Sequence, residues 1–274
     1  MDARRAALLD AMGVPRYVSR GEASEQLDSV QAVEAVESVR RPRAENAKPT
    51  GAPTPTVPTP RPVRQKSAEI PVKPAPETIN APVPDRAGLG WTELQGVVGS
   101  CRLCTLCETR TQTVFGVGDR QASWMIVGEA PGADEDRQGE PFVGRAGQLL
   151  NAMLDAVGHP RATVYIANVL KCRPPANRDP LPEEVRQCLP NLHRQIELVA
   201  PKLILCVGRV AAQNLLGVDA PLAQLRGKAH HVGLAQHPVV VTYHPAYLLR
   251  SPGEKRKAWA DLKFALEVAN GRRA

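Results

Sequence analysis

The sequence predicts an α/β protein, a three-layer fold in which a central, mostly parallel four-stranded sheet is flanked by helices and preceded by a disordered arm. Three features of the 274 residues carry this expectation. Runs rich in β-forming apolar residues recur at 123–127, 163–170, 202–207 and 238–242, each about the length of a strand. Segments of helical periodicity at 147–157, 182–199 and 209–216 separate consecutive runs, and a fourth at 254–270 follows the last. Finally, 12 of the 26 prolines lie between Pro42 and Pro84, where large apolar side chains are too scarce to build a core.

The N-terminal arm, 1–41, holds two short helical patterns at 4–12 and 22–40. The second sets Leu27, Val30, Val33 and Val36 near one face, a stripe so narrow that it predicts a marginal helix, with docking of a replication or repair partner as the functional alternative. Residues 42–86, with their alternating Pro and Thr, should form an extended, solvated linker of polyproline II character. That leaves 87–274, 188 residues, for one well-buried domain, and nothing in it demands more than a monomer. The chain carries a net charge of +7, most of it in this domain, which is compatible with a nucleic-acid partner without requiring one. No run approaches the roughly 18–20 apolar residues of a membrane helix, and residues 1–5 lack a secretory signal's apolar stretch, so the expected location is cytoplasmic, with no membrane partner.

Within such a sheet, ligands bind beyond the carboxyl ends of the strands. Just past the four runs stand Glu129, Ala130, Pro131 and Gly132, then Asn168, then Gly208, then His244 and Pro245. Polar, turn-forming and titratable groups therefore converge on one rim.

In a reducing compartment, six cysteines at tight spacings point to metal ligands or buried thiols. Cys101, Cys104 and Cys107 form two overlapping C-x-x-C pairs, and Cys172 and Cys188 follow with fifteen residues between them. A C-x-x-C turn brings two sulfurs to one side, and a second pair closes a four-thiolate site. Charged neighbours such as Arg102, Glu108, Arg173 and Arg186 make these segments poor core candidates, whereas Cys206, inside an apolar run, reads as a small buried hydrophobe. Spacing alone neither separates zinc from an iron–sulfur cluster nor selects among the first three cysteines.

Five segments in order resemble the family 4 uracil-DNA glycosylases, which carry a 4Fe-4S cluster: Cys101-Arg102-Leu103-Cys104, Gly128-Glu129-Ala130-Pro131-Gly132, Pro141-Phe142-Val143-Gly144, Lys171-Cys172-Arg173-Pro174-Pro175-Ala176-Asn177 and the run from His244 to Arg250. The likeness extends from about Cys101 to the last helix and leaves residues 1–86 outside it. It implies Cys101, Cys104, Cys172 and Cys188 as cluster ligands and Cys107 as a non-ligand. With no open coordination position, the cluster would serve to pin the 172–188 loop, whose Arg173, Arg178 and Arg186 could then approach phosphates.

The resemblance also implies a reaction, extrusion of uracil from single- or double-stranded DNA and hydrolysis of its N-glycosidic bond to leave an abasic site. Phe142 would stack on the base. The Asn168 amide would accept from uracil N3–H and donate to O4, a polarity that cytosine reverses. Gly132 belongs to the same binding loop, and Glu135 would lie near the ring edge, where it could exclude the methyl of thymine. His244 would hydrogen-bond O2 as negative charge develops there, while Glu129, the Ala130 carbonyl and the Asn177 amide surround the attacking water. The run 245–250 resembles a loop that wedges into the duplex, with Leu248 or Leu249 filling the vacated space.

Two rivals remain open. A related uracil-DNA binder that traps its product carries an inserted basic loop with a reactive His near the Phe142 region, whereas 137–142 here is short and has no His. A zinc-stabilised DNA-binding or scaffold module is the rival from another class, and nucleoside hydrolysis a weaker one.

Overall fold

The computed structural model describes residues 82–273, so the expected helices of the arm and most of the Pro-rich linker lie outside the described residues. Six strands form one sheet in the order β1-β3-β2-β4-β6-β5. They are β1 (Val117–Gly118), β2 (Trp124–Gly128), β3 (Val164–Asn168), β4 (Leu203–Val207), β5 (Ala229–Val232) and β6 (His237–Thr242). The four central strands are the four expected runs, and each neighbouring pair is parallel. The expected count of four is short by two antiparallel edge strands, β1 beside β3 and β5 beside β6. Neither could announce itself, since β1 has only two residues and β5, Ala-His-His-Val, has no buried position.

Every residue of β2, β3 and β4 is buried, as a sheet covered on both faces requires. Alternate side chains divide between two cores. Trp124, Ile126, Ile166, Leu205 and Val240 pack with α3 (Arg145–Ala156) and α8 (Lys255–Ala269). Met125, Val127, Ala167, Ile204 and Val241 face α4 (Pro182–Val199) and α5 (Arg209–Leu216), with Cys206 among them as a fully buried thiol. Three layers follow directly from this period of two.

The limits of α4 and α5 match the expected ones, and the reasons are local. At the start of α4 Pro182 supplies a preset φ, and Glu184 accepts from the Leu181 N–H at 2.8 Å. Ala200 then adopts a left-handed conformation ahead of Pro201 and ends it. The helices α2 (Ala133–Gln138), α6 (Leu222–Leu225) and α7 (Pro245–Arg250) lie in segments too short for a periodic signal, and α1 (Trp91–Gly99), nine residues long, buries only Leu94 and Val98. The run after His244 is therefore a helix rather than the loop expected from the sequence.

Register places the site. Gly128 stands beside Asn168, and Val207 beside Thr242. Past the strands the pairing continues, with Val169 N–H to Gly128 O and Gly208 N–H to Thr242 O, each at 2.9 Å. The four carboxyl ends thus share one edge of the sheet.

Candidate functional site

At that edge lies a cavity of about 450 Å³, and all eight residues expected to handle the base and water line it. Glu129, Ala130, Gly132 and Glu135 come from the turn after β2 and the start of α2, Phe142 from the loop before α3, and Asn168 from the end of β3. Asn177 comes from a 3-10 turn at Pro175–Asn177, and His244 caps the N-terminus of α7.

Phe142 and Asn168 meet across Gly128. A Cβ on that glycine would lie 2.4 Å from Asn168 Oδ1 and 2.7 Å from Phe142 Cζ, so only hydrogen fits between strand, ring and amide. Phe142 is held at φ +55°, a conformation that a bulky residue adopts only when its surroundings impose it. Arg161 donates to Pro141 O at 2.7 Å and to Phe142 O at 3.3 Å, and Gly147 allows the Phe142 carbonyl to approach where a Cβ would collide. Arg161 also donates to Asn151 Oδ1 at 3.4 Å, and sequence reading missed it because its shortest bond goes to a backbone carbonyl twenty residues away. Asn168 is 2% exposed, and its Oδ1 has no hydrogen-bond partner among the described residues. A buried amide oxygen without a partner is rare and calls for a ligand donor.

His244 stacks beside Phe142, with ring centroids 5.7 Å apart and planes at 29°. Its Nδ1 accepts from the Ala246 N–H at 3.1 Å as an N-cap, which assigns the ring proton of the neutral form to Nε2. Burial, with repulsion from Arg250 added, lowers its pKa to about 4. The imidazole is therefore a neutral donor near pH 7. Gly208, at φ +101°, leaves room for it, since a Cβ there would lie 3.1 Å from the His244 Cβ.

The Glu129 carbonyl accepts from the Leu170 N–H at 2.9 Å, while burial of its carboxyl, reinforced by Asp179 and partly offset by Arg209, raises the pKa to about 7. A carboxyl poised near neutrality in a cavity is suited to accept a proton from water. Asn177 adopts φ +54°, and its Oδ1 accepts from Arg173 Nε at 2.8 Å, which leaves the amide N–H groups to offer. Glu135 is committed to the backbone, accepting from Gly132, Val143 and Gly144 N–H at 3.1, 3.0 and 3.3 Å. It ties the start of α2 to the loop that carries Phe142. Arg178, in the loop, pairs with Glu184 at 2.6 Å, and Arg186, which lies on α4 rather than in the expected loop, pairs with Glu183 at 2.7 Å. On α7 the two leucines separate cleanly, because Leu248 is fully buried in the core whereas Leu249 is 38% exposed.

The five clustered cysteines line a second cavity, together with Arg110 and Lys171. Arg110 donates from Nη1 to Cys172 Sγ at 2.9 Å and from Nη2 to Cys101 O at 2.7 Å, and the Lys171 N–H donates to Cys188 Sγ at 3.2 Å. Burial pushes Cys104, Cys172 and Cys188 up to about 11, and repulsion from Cys101 adds to each. Cys107 lines the same cavity as Cys101, Cys104, Cys172 and Cys188. Among the described residues no three side chains are arranged to hold a single metal ion. Lys171 joins the two cavities: fully buried, it donates from Nζ to Asn168 O at 2.8 Å and to Gln195 Oε1 at 2.6 Å.

Comparison with known proteins agrees with this geometry. The profile of the Uracil DNA glycosylase superfamily matches residues 115–263, more than half of the chain. A type-4 uracil-DNA glycosylase of Archaeoglobus fulgidus is 48% identical over 170 residues, covering 60% of this chain and 85% of that protein. Those of Pyrobaculum aerophilum and Sulfurisphaera tokodaii are 43% and 41% identical over 176 and 177 residues, covering 62% of this chain in each case and 90% and 80% of theirs. With four of the five expected motifs meeting at one cavity, the cysteines lining a second, and relatives this similar, the chain belongs to the uracil DNA glycosylase superfamily, on its type-4 branch.

Proposed function

We propose that the protein excises uracil from DNA by hydrolysing the N-glycosidic bond, the first step in repairing a deaminated cytosine. The observation that carries this reading is the unpartnered Asn168 amide oxygen beside the Phe142 ring, since uracil N3–H is the donor it lacks. An extruded uracil stacks on Phe142 and pairs with the Asn168 amide, which accepts from N3–H and donates to O4. Cytosine has no N3–H to donate and presents a second donor, so it meets the same amide with both polarities reversed.

His244 Nε2–H then donates to O2 as the glycosidic electrons move onto the ring. A donor aimed at developing charge is worth roughly 10²- to 10³-fold in rate. Because the imidazole stays neutral, it stabilises the departing anion without having first attracted a counter-ion of its own. Glu129 and the Ala130 carbonyl hold the water that meets the cationic sugar, with an Asn177 amide N–H donating to the water oxygen. The Glu129 carboxylate takes the water's proton as the new C–O bond forms. Leu249, the exposed leucine of α7, fills the space left in the duplex.

The residues of the second cavity fit an iron–sulfur cluster, an all-sulfur donor set with backbone and guanidinium N–H groups directed at two of the sulfurs. Cys101, Cys104, Cys172 and Cys188 would hold 4Fe-4S. Such a cluster would supply a cross-link between α4 and the segment 172–181, and so hold Asn177 at the cavity edge. One chain contains every residue invoked, so a monomer suffices. The sequence pattern of the arm at 1–41 reads as a marginal helix, with partner docking as the alternative.

The test is excision from a uracil-containing oligonucleotide by anaerobically purified protein, with iron and sulfide assayed on the same sample. Abasic product with about four irons per chain is expected. Cluster without cleavage would move the reading to a uracil-binding or product-trapping protein, and zinc without cleavage to the scaffold module.

A further inference from the structure

Tyr247 lines the mouth of the cavity and takes no part in the steps above. It is held from behind. Its ring stacks on Tyr243, with centroids 5.3 Å apart and planes at 16°, and the Arg226 guanidinium sits 4.3 Å from the centroid of Tyr243. Arg226 is itself fixed, bidentate to Asp261 at 2.7 and 2.9 Å and donating to the Tyr243 hydroxyl at 3.2 Å. Asp261, 4% exposed, also accepts from Thr242 Oγ1 at 2.8 Å and so ties the assembly to the end of β6. Tyr247 lies on the helix that His244 caps, and its Tyr243 contact prevents it from folding away from the mouth.

Tyr243 stacks on one side of the Tyr247 ring, and the residue remains 38% exposed. Among the described residues the exposed large apolar side chains number six, and Tyr247 and Leu249 are the two on α7. A branched aliphatic chain fills space, whereas a rigid flat ring recognises another flat ring. The group that arrives here is the nucleobase next to the extruded one, because extrusion strips a stacking partner from each neighbour. Arg250, on the same helix and also at the cavity, supplies charge for the accompanying phosphate.

We infer that Tyr247 is a stacking platform for the nucleobase adjoining the extruded uridine, a subsite separate from the uracil pocket. The inference rests on the glycosylase reading for its ligand. Stacking of this kind is worth roughly five- to a hundredfold in affinity, and it tolerates any base because every base has a flat face.

Equilibrium binding tests it, measured by fluorescence anisotropy on a single-stranded oligonucleotide carrying a non-cleavable 2′-fluoroarabino uridine. The flanking residue on each side is either thymidine or an abasic tetrahydrofuran. Tyr247→Ala should weaken binding about tenfold, Tyr247→Phe should not, and Tyr247→Leu should fail as alanine does. Removing one flanking base should cost the wild-type protein a similar factor and cost Tyr247→Ala nothing. Independent, multiplying losses at both flanks would overturn the inference. So would full binding by Tyr247→Leu, which would make the residue a plain space-filler, or no binding of the oligonucleotide by the wild type. Excision of ordinary uracil by the wild type is run alongside. Excision without coupling sinks the platform alone, and coupling without excision sinks the catalytic reading alone.

Discussion

Replacing Gly128 with alanine tests the site with one carbon atom. The residue ends β2 in a strand conformation, so alanine is acceptable to the backbone and the effect is confined to its Cβ. That atom would stand 2.4 Å from Asn168 Oδ1 and 2.7 and 2.8 Å from Phe142 Cζ and Cε2, where ordinary contact begins at 3.4 Å. Relief requires the ring and the amide to move by about 0.6–1 Å. A displacement near 1 Å at the reacting centre costs on the order of 10²-fold in rate, while overpacking one carbon costs about 1–3 kcal/mol of stability. Single-turnover excision should therefore fall about a hundredfold in a protein that still melts cooperatively and retains its iron. Gly96→Ala is the control, because a Cβ there meets nothing within 4 Å and α1 should gain roughly 0.5–1 kcal/mol. An undiminished rate in Gly128→Ala, or a loss fully explained by unfolding, would refute the tight meeting of strand, ring and amide.

The pH profile should separate the two titrating groups. His244, held at about 4, stays neutral from pH 5 upward, so the rise of excision with a midpoint near 7 belongs to Glu129 and should vanish in Glu129→Gln. Asp179→Asn removes a repulsion and should shift that midpoint to lower pH, and an unmoved midpoint would detach Glu129 from the profile. Folded His244 takes up its proton at lower pH than the ordinary 6.5, so its contribution to stability is present above 6.5 and declines as pH falls toward 4. Thermal melting across that range should show less decline in His244→Asn. Cys101→Ala should lose iron and solubility, whereas Cys107→Ala should keep four irons per chain and full excision; equal loss in both would break the four-cysteine grouping. Asn168→Asp should weaken uracil excision at least tenfold and relax rejection of cytosine, and an unchanged uracil-to-cytosine ratio would remove Asn168 from base reading.

The sequence exposed the central strands because strands buried on both faces are continuous apolar runs, and it exposed the rim because parallel strands end together. It did not expose β5, whose two histidines lie on an edge where nothing forces apolar periodicity. Nor did it expose the role of Arg161 on the Pro141 and Phe142 carbonyls or that of the buried Lys171 between the Asn168 carbonyl and the Gln195 amide, since these partners lie far off in sequence or on the backbone. Leu248 and Leu249 are identical letters, and only the turn of α7 decides that one enters the core and the other faces outward. The protonation of His244 was equally hidden, because it depends on an N-cap contact from Ala246 and on burial by distant segments.

The site is assembled in two halves that should fail separately. Among the described residues, five other than glycine have positive φ, and Phe142, Ala176 and Asn177 are three of them. Strain of this kind costs about 1–3 kcal/mol per residue and persists only where neighbours impose it. Around Phe142 those neighbours are Arg161 and Glu135, both independent of the thiols. Around Asn177 they are Arg173, the Arg178–Glu184 ion pair, and a segment bounded by Cys172 and Cys188. Removing iron should therefore release the segment 172–188, the loop and the first turns of α4, and leave 139–147 in place, while Arg161→Gln should do the reverse. Amide hydrogen exchange distinguishes the two. Faster exchange confined to 172–188 after chelation, with 139–147 still protected, is the expected result. Simultaneous loss of protection in both segments would mean that the thiols support the whole cavity and that Lys171, the buried link to Asn168, transmits their loss to the base-reading half.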